Sequence, residues 1–281
     1  MIQEKLLHTL TFFLSKLSLR TVHILGKYFG MLYFSLSKKS YRVLKENIEN
    51  SGVFDKVNIP QVIKENTQEL GKSILEAFYI WASTQEKTIS LVKEIHGKEF
   101  IDKAEKMGKG IIFLTPHLGC FEIASIFYGD TKPITIMYRK ARKKWMNNLM
   151  INGRKKGLVN LASTDSRGLR KILMALKKSE AVGILPDQVA DKGQGEMVDF
   201  FGRPAYTMVL TNKLIKRTEA SIIMVYGERL INGRGFDIHC KLIKRENIST
   251  SLDLNKELEY FIKKNPTQYY WSYDRFKKIS K

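Results

Sequence analysis

The spacing of apolar residues along the chain changes near residue 110. Over residues 57–93, apolar side chains such as Val62, Leu70, Ile74 and Phe78 recur at helical spacing, with charged residues between them. This part of the chain is therefore predicted to be helical.

Short apolar runs without a helical period follow. They predict buried strands over residues 110–115, 134–138, 181–185 and 220–226. Helix-like stretches lie between or just before them, at residues 119–128, 143–156, 166–178 and 207–217. Strands that alternate with helices predict an α/β fold with a mostly parallel central sheet flanked by helices. An edge strand is predicted over residues 236–243, and a last helix over 254–264 ends before Pro266.

The N-terminal residues differ in character from the rest. Residues 6–36 are mostly apolar and aromatic, but Lys16, Arg20 and Lys27 interrupt them, so no stretch reaches the roughly 20 apolar residues of a spanning helix. We therefore predict one or two amphipathic helices that lie in or dip into a bilayer. Their apolar side is predicted to carry six aromatic residues, Phe12, Phe13, Tyr28, Phe29, Tyr33 and Phe34.

A basic stretch follows these aromatic residues directly. It comprises Lys38, Lys39, Arg42 and Lys45, and it is placed to contact anionic lipid. The chain is accordingly divided into N-terminal membrane-anchoring helices over residues 1–45 and a catalytic domain over residues 46–281. The alternative is that the first 45 residues form an ordinary helical hairpin packed on the rest of the protein.

Composition narrows the partners and the chemistry. Lys and Arg number 48 against 28 Asp and Glu among 281 residues, and the formal charge of +20 favours anionic partners. Two cysteines, Cys120 and Cys240, offer neither a disulfide framework nor a paired metal-ligand spacing. The basic residues are scattered along the chain without a nucleic-acid motif, so a nucleic-acid partner is not expected.

The sharpest motif runs from Thr115 to Glu122, where a predicted strand ends and a helix begins. Active sites of parallel α/β sheets collect at this edge. His117 and Glu122 are five residues apart, about 140° around a continuous helix, so they would not meet on one. If His117 lies in the loop before the helix, the Glu122 carboxylate can accept its Nδ1 proton and leave Nε2 as a free base. We therefore predict His117 as a general base oriented by Glu122.

Further polar side chains are predicted at the same edge. Arg139 follows the second strand, Arg154 lies in the next helix, and Asp187 follows the third strand. An arginine at such a position can bind phosphate or carboxylate, or stabilise a developing oxyanion.

Two other features have both a functional and a structural interpretation. Cys120 is a candidate covalent nucleophile, although beside apolar Phe121 it is better explained as a packed core residue. Phe200 and Phe201 either line an apolar slot for an acyl chain or pack in the core.

A series of motifs occurs in one order along the chain. It comprises His117 with Glu122, Tyr138-Arg139, Arg154, Pro186-Asp187, Phe200-Phe201-Gly202 and the segment from Pro266 to Lys277. At these spacings the series resembles the late acyltransferases of lipid A biosynthesis, the lauroyl and myristoyl transferases within the lysophospholipid acyltransferase superfamily. The resemblance covers the chain from about residue 20 to its C-terminus.

This resemblance implies roles for five residues. His117 would be the base, Glu122 its partner, and Arg139, Arg154 and Asp187 would bind and position the substrate. It also implies a bacterial inner-membrane enzyme whose site faces the cytoplasm and whose acyl donor is acyl carrier protein. A metal or a bound cofactor is not expected.

The predicted reaction moves a fatty acyl chain from an acyl carrier protein thioester to a hydroxyl of a lipid A precursor, an anionic membrane glycolipid. Another glycolipid, an aminoacyl lipid or a lysophospholipid is the alternative acceptor, and acyl-CoA the alternative donor. The family often has Asn and Trp where this chain has Cys120 and Phe121, and Arg where it has Asp274, so the acceptor stays open.

Overall fold

A computed structural model describes the backbone of residues 2–277 and the side chains from residue 9 onward. Met1, at the start of the predicted N-terminal segment, and residues 278–281, at the end of the predicted catalytic domain, lie outside the described part. The helices are α1 (Ile2–Lys16), α2 (Leu19–Leu36), α3 (Lys38–Glu49), α4 (Ile59–Ala82), α5 (Gln85–Ile89), α6 (Lys98–Met107), α7 (Ile123–Tyr128), α8 (Lys144–Arg154), α9 (Ser166–Lys177), α10 (Leu210–Arg217) and α11 (Ser251–Ile262). The strands are β1 (Val92–His96), β2 (Ile111–Leu114), β3 (Ile134–Tyr138), β4 (Val159–Ser163), β5 (Ala181–Ile184), β6 (Gly195–Phe200), β7 (Arg203–Met208), β8 (Ser221–Arg229) and β9 (Phe236–Ile243).

Seven of these strands form one sheet in the order β1-β9-β8-β2-β5-β3-β4. The five strands from β8 to β4 are parallel to one another, whereas β9 is antiparallel to β8 and β1 pairs parallel with β9. Helices cover both faces of this sheet, and an apolar cluster fills the space on each face. Helices α6 and α7 contribute to one cluster, and α9, α10 and α11 contribute to the other. The predicted α/β fold with a mostly parallel, helix-flanked sheet is confirmed.

The predicted strands at residues 110–115, 134–138, 181–185 and 220–226 are present as β2, β3, β5 and β8. Residues 236–243 do form a strand, β9. The prediction that this strand lies at the edge of the sheet is wrong, because β1 pairs with its outer side. The edge strands β1 and β4 were not predicted, and neither was the antiparallel hairpin of β6 and β7. Helix α7 begins at Ile123 and not near residue 119, because the preceding residues form the loop that carries His117.

Helix α2 packs tightly against α4 through glycines. A Cβ atom on Gly30 would lie 2.1 Å from the Thr67 carbonyl oxygen, and one on Gly71 would lie 2.1 Å from the Gly26 carbonyl oxygen. Only glycine allows the two helix backbones to approach this closely. One face of α2 is thus part of the protein interior.

The other face of α2, together with α1, carries an unusually apolar surface. Large apolar side chains exposed there, which we call the N-terminal apolar surface, are Leu10, Phe12, Phe13, Ile24, Leu25, Tyr28, Phe29, Met31, Leu32, Tyr33 and Leu36. Phe34, predicted on this side, is instead buried against the body of the protein. Within residues 2–277, no helix combines the length and the apolar character needed to cross a bilayer.

Candidate active site

The loop that carries His117 connects β2 to α7 and is fixed along its backbone. The Gly119 amide donates to the Gln268 carbonyl over 3.1 Å, and the Cys120 amide donates to the Gly227 carbonyl over 2.7 Å. Gly119 has φ of +58°, and a Cβ atom there would lie 2.0 Å from the Gly227 oxygen. The loop therefore needs glycine at this position, both for its backbone conformation and for the close contact with β8.

His117 is held by Asp187. The Asp187 carboxylate accepts the His117 backbone amide through Oδ2 at 2.8 Å and contacts the imidazole Nδ1 through Oδ1 at 2.7 Å. Leu114 and Ile184 are partners in the parallel pairing of β2 with β5, and each of the two polar residues lies three positions further along its chain. Parallel register thus brings the pair together at the carboxyl ends of neighbouring strands.

The Asp187 carboxylate determines which ring nitrogen of His117 acts as the hydrogen-bond donor. Asp187 is only 2% exposed. Burial raises its pKa, but the charge and hydrogen bonds of His117 outweigh burial and leave the pKa below its ordinary value. An ionised carboxylate only accepts hydrogen bonds, so Nδ1 is the donor, and a neutral imidazole held in this way has its lone pair on Nε2. Burial and the neighbouring Asp187 also raise the pKa of Tyr269, which stays a hydroxyl donor to that carboxylate.

The predicted contact between Glu122 and His117 is wrong. Glu122 instead pairs with Arg154, whose Nε donates to Oε2 over 2.9 Å and whose second nitrogen contacts Oε1. Both groups are largely buried, and the Glu122 charge raises the pKa of Arg154 even though burial lowers it. Glu122 immediately precedes α7, and there its carboxylate meets the planar guanidinium in bidentate geometry. Asp187, predicted as a substrate-binding group, occupies the place on Nδ1 that was assigned to Glu122.

A cavity of about 230 Å³ lies on the open side of His117. Arg139, Arg154 and Gln188 line it together with the imidazole. Arg139 is half exposed and pairs with Asp191 over 2.8 Å. The structure therefore brings His117, Arg139 and Arg154 to one cavity, with Asp187 behind the imidazole and Glu122 behind Arg154.

A second, mainly apolar cavity of about 220 Å³ adjoins the first. The two cavities share Met137, Arg154 and Leu185 as walls. From Glu122 the second cavity extends between the sheet and the α6–α7 layer, over side chains such as Phe113 and Ile136. Its floor includes Gly183 of β5, so the centre of the sheet presents no side chain there.

Neither of the two features with dual interpretations, Cys120 and the Phe200-Phe201 pair, takes part in this site. Cys120 is buried, and burial raises the pKa of its thiol well above the ordinary value, which disfavours a thiolate nucleophile. Phe200 and Phe201 are buried in the core and lie against Trp271 and Tyr269, so they do not line either cavity. Gln188 was not predicted as a site residue, although it directly follows Asp187 in the sequence and its Nε2 lies 3.2 Å from the imidazole Nε2.

An α/β sheet that presents a His–carboxylate pair beside an apolar cavity fits an acyltransferase whose nucleophile comes with the substrate. A model of the bacterial lipid A biosynthesis acyltransferase family matches residues 6–278. The chain therefore belongs to that family, and the resemblance seen in the sequence is confirmed.

Curated relatives agree with this assignment. The chain is 23% identical to the lipid A biosynthesis lauroyltransferase of Escherichia coli (strain K12) over 265 residues, 91% of this chain and 85% of the relative. It is 24% identical to the palmitoleoyltransferase of the same strain, over 77% of this chain and 72% of that protein. A lipid A biosynthesis acyltransferase of Haemophilus influenzae is 26% identical over 68% of this chain and 61% of its own length. The prediction of an acyltransferase is thus confirmed.

Matched amide substitutions distinguish the two carboxylates. Asp187→Asn should lower the kcat of acyl transfer by about 10²- to 10⁴-fold, because an amide no longer fixes the Nδ1-protonated tautomer. Glu122→Gln should chiefly reduce stability, because it leaves Arg154 without its counter-charge, and Glu122→Gln/Arg154→Gln should recover part of that loss. Steady-state kinetics and thermal unfolding measure both effects. Normal turnover in Asp187→Asn, with inactive but fully stable Glu122→Gln, would contradict the observed pairing.

Proposed function

We propose that this protein transfers a fatty acyl chain from an acyl carrier protein thioester to a hydroxyl of a lipid A precursor, with His117 as the general base. The proposal is carried by the position of the His117 imidazole between a buried carboxylate and a cavity. Its Nδ1 is bound to buried Asp187, while Nε2 contacts Gln188, and both side chains line a cavity that adjoins an apolar one. In the proposed role, Glu122 holds Arg154 at the boundary between the cavities and does not orient the base.

The proposed reaction needs no enzyme nucleophile. The acceptor hydroxyl gives its proton to Nε2 as its oxygen attacks the thioester carbonyl, and the carbonyl electron pair moves onto oxygen. Collapse of the tetrahedral intermediate restores the carbonyl and breaks the carbon–sulfur bond, and the imidazolium returns the proton to the departing thiolate. The Asp187 carboxylate stabilises the imidazolium formed in between. These steps use the acyl donor as co-substrate and require no bound cofactor.

The apolar cavity fits the acyl chain of the donor. It begins at Glu122 and Arg154, beside the catalytic cavity, and its walls are mainly aliphatic and aromatic carbon. Burying each methylene there contributes roughly 0.8 kcal/mol, enough to favour a long chain over a short one. The relatives named as lauroyl- and palmitoleoyltransferases transfer acyl chains, which supports this use of the cavity.

Positive charge at the cavity mouth fits a phosphorylated acceptor. Arg139 lies beside the His117 cavity, and Lys140, Arg142, Lys143 and Lys144 are exposed directly after it. A guanidinium bound only to an exposed carboxylate can exchange that partner for a phosphate oxygen. The excess of 20 positive charges would also speed encounter with an acidic carrier protein.

The N-terminal apolar surface fits the interface of the inner membrane on its cytoplasmic side. Apolar side chains cover the face of α2 that is turned away from α4. On a helix exposed to water, this face would carry polar side chains. Lys38, Lys39, Arg42 and Lys45 are exposed on the following helix, α3, where they can contact anionic headgroups. Helices lying in the interface would present the catalytic cavity to a lipid acceptor.

Removing the base tests the proposed chemistry. His117→Ala should reduce kcat by about 10² or more, because no other described side chain replaces Nε2 as proton acceptor. Turnover is measured with acyl carrier protein thioesters and a purified lipid A precursor. In parallel, lipids from a strain lacking the protein should show a lipid A species short by one acyl chain, restored by the wild type and not by His117→Ala. Wild-type turnover by the variant would overturn the role of His117, and an unchanged lipid A profile would overturn the acceptor.

Polar substitution on the N-terminal apolar surface tests the membrane contact. The triple variant Phe13→Ser/Tyr28→Ser/Leu32→Ser should bind phosphatidylglycerol vesicles at least about tenfold more weakly in a flotation assay, because three exposed side chains lose apolar area. Met174→Ser is the control, since Met174 is similarly exposed on α9. Equal vesicle binding by the triple variant and the control would exclude this surface as the membrane contact.

A further inference from the structure

Gln188 already occupies the reactive nitrogen of His117. Its amide Nε2 lies 3.2 Å from the imidazole Nε2, on the side opposite to Asp187. In the neutral imidazole that can act as a base, Nδ1 carries the proton and Nε2 accepts, so the side-chain amide of Gln188 is the donor in this contact. The amide therefore stands where an acceptor hydroxyl must arrive before it can lose its proton.

The His117 loop has few backbone donors left for an oxyanion. The amides of the four residues from His117 to Cys120 all donate within the protein. Their acceptors, in order, are Asp187 Oδ2, Pro116 O, Gln268 O and Gly227 O. An oxyanion hole made of these amides, as at many acyl-transfer sites, would require the loop to unfold from β8 and from the C-terminal segment.

The charged side chains on the same cavity are bound to carboxylates. Arg154 is bound in a bidentate pair by Glu122, and Arg139 contacts Asp191. Gln188, in contrast, has a neutral amide whose contact with Nε2 must be broken in any case when the acceptor hydroxyl binds. Gln188 is thus a donor beside the reacting atoms, and substrate binding frees its N–H for a new acceptor.

We propose that Gln188 is a catalytic residue that donates a hydrogen bond to the oxyanion during acyl transfer. The inference rests on the proposed function of His117 as base. The acceptor hydroxyl displaces the amide from Nε2, gives Nε2 its proton and attacks the carbonyl carbon. The new carbon–oxygen bond forms as the carbonyl electron pair moves onto its oxygen, which accepts the Gln188 N–H. When the carbon–sulfur bond breaks, the electron pair returns to the carbonyl and the thiolate receives the proton from the imidazolium.

The local structure allows this exchange with side-chain rotation alone. The Val189 amide is fixed by the Tyr273 hydroxyl over 3.1 Å, and Asp187 is fixed by His117, so the backbone on both sides of Gln188 is held. The attacking oxygen and the oxyanion are attached to one carbon atom. A donor displaced from Nε2 by roughly one hydrogen-bond length of about 3 Å therefore remains within reach of the oxyanion.

Substitutions of similar size test this role. Gln188→Met removes the donor and keeps the volume, and it should lower kcat by about 10²- to 10³-fold with little change in KM or melting temperature. Gln188→Glu has the same shape but places a carboxylate against the developing negative charge, so its kcat should be lower still. Gln194→Met is the matched control, because Gln194 is exposed nearby and does not line the His117 cavity. It should keep wild-type kinetics.

Each result has a defined meaning. A wild-type kcat in folded Gln188→Met, or a loss confined to KM, would overturn the proposal, and Gln188→Glu provides the same test if the Met variant does not fold. The order wild type, Gln188→Met, Gln188→Glu in falling kcat supports an oxyanion donor, since a purely steric role would treat the two variants alike. His117→Ala is measured in the same assay. An active His117→Ala enzyme contradicts the proposed base, whereas inactive His117→Ala with active Gln188→Met contradicts only the role of Gln188.

Discussion

The site depends on one carboxylate, Asp187, which holds His117 at two points. It accepts both the backbone amide and the imidazole Nδ1, so it fixes the position of the loop and the orientation of the ring together. Burying a carboxylate costs several kcal/mol of folding free energy unless it is hydrogen-bonded. The two contacts with His117, together with the Tyr269 hydroxyl, provide the required hydrogen bonds. The same bonds that stabilise the buried charge thus direct Nδ1 towards Asp187 and leave Nε2, on the other side of the ring, for the proposed role as base. The Asp187 carboxylate therefore accounts both for the position of the His117 loop and for the proposed chemistry of the ring.

A second buried charge cluster ties the N-terminal helices to this loop. The Arg229 guanidinium, at the end of β8, binds Glu76 of α4 over 2.5 Å and Glu69 over 2.6 Å. His23 of α2 contacts the same Glu76 carboxylate, and the Gly119 carbonyl lies 3.3 Å from Arg229. A pair of this kind is strongly destabilising when one partner is removed, because the other charge stays buried. The surface proposed to meet the membrane and the loop that carries His117 are therefore parts of one packed unit.

Much of the fold could be predicted from the sequence. The central strands β2, β3, β5 and β8 consist mainly of apolar residues, since strands buried on both faces need few polar positions. The edge strands are harder to recognise, because charged residues interrupt the apolar residues of β1 and polar residues interrupt those of β4. Position along the strands also placed His117, Arg139 and Asp187 correctly at one edge of the sheet.

The partners within the site could not be predicted in the same way. Five residues separate His117 from Glu122, and this proximity in sequence suggested a contact. The contact that forms depends instead on the register of two strands about 70 residues apart, which no local pattern encodes. Glu122 then pairs with Arg154, which comes from a helix 32 positions further along the chain. Gln188 was overlooked because an amide carries no distinctive motif, although its neighbour Asp187 was recognised.

Asp187, and not Glu122, binds Nδ1 of His117. Proton–nitrogen NMR of the protein with ¹⁵N-labelled histidine detects that proton and the nitrogen to which it is attached. The structure predicts a low-field Nδ1–H signal for His117, assigned by its absence in His117→Ala, that persists in Glu122→Gln and is lost or shifts strongly in Asp187→Asn. A signal that disappears in Glu122→Gln and remains unchanged in Asp187→Asn would contradict the pairing of His117 with Asp187.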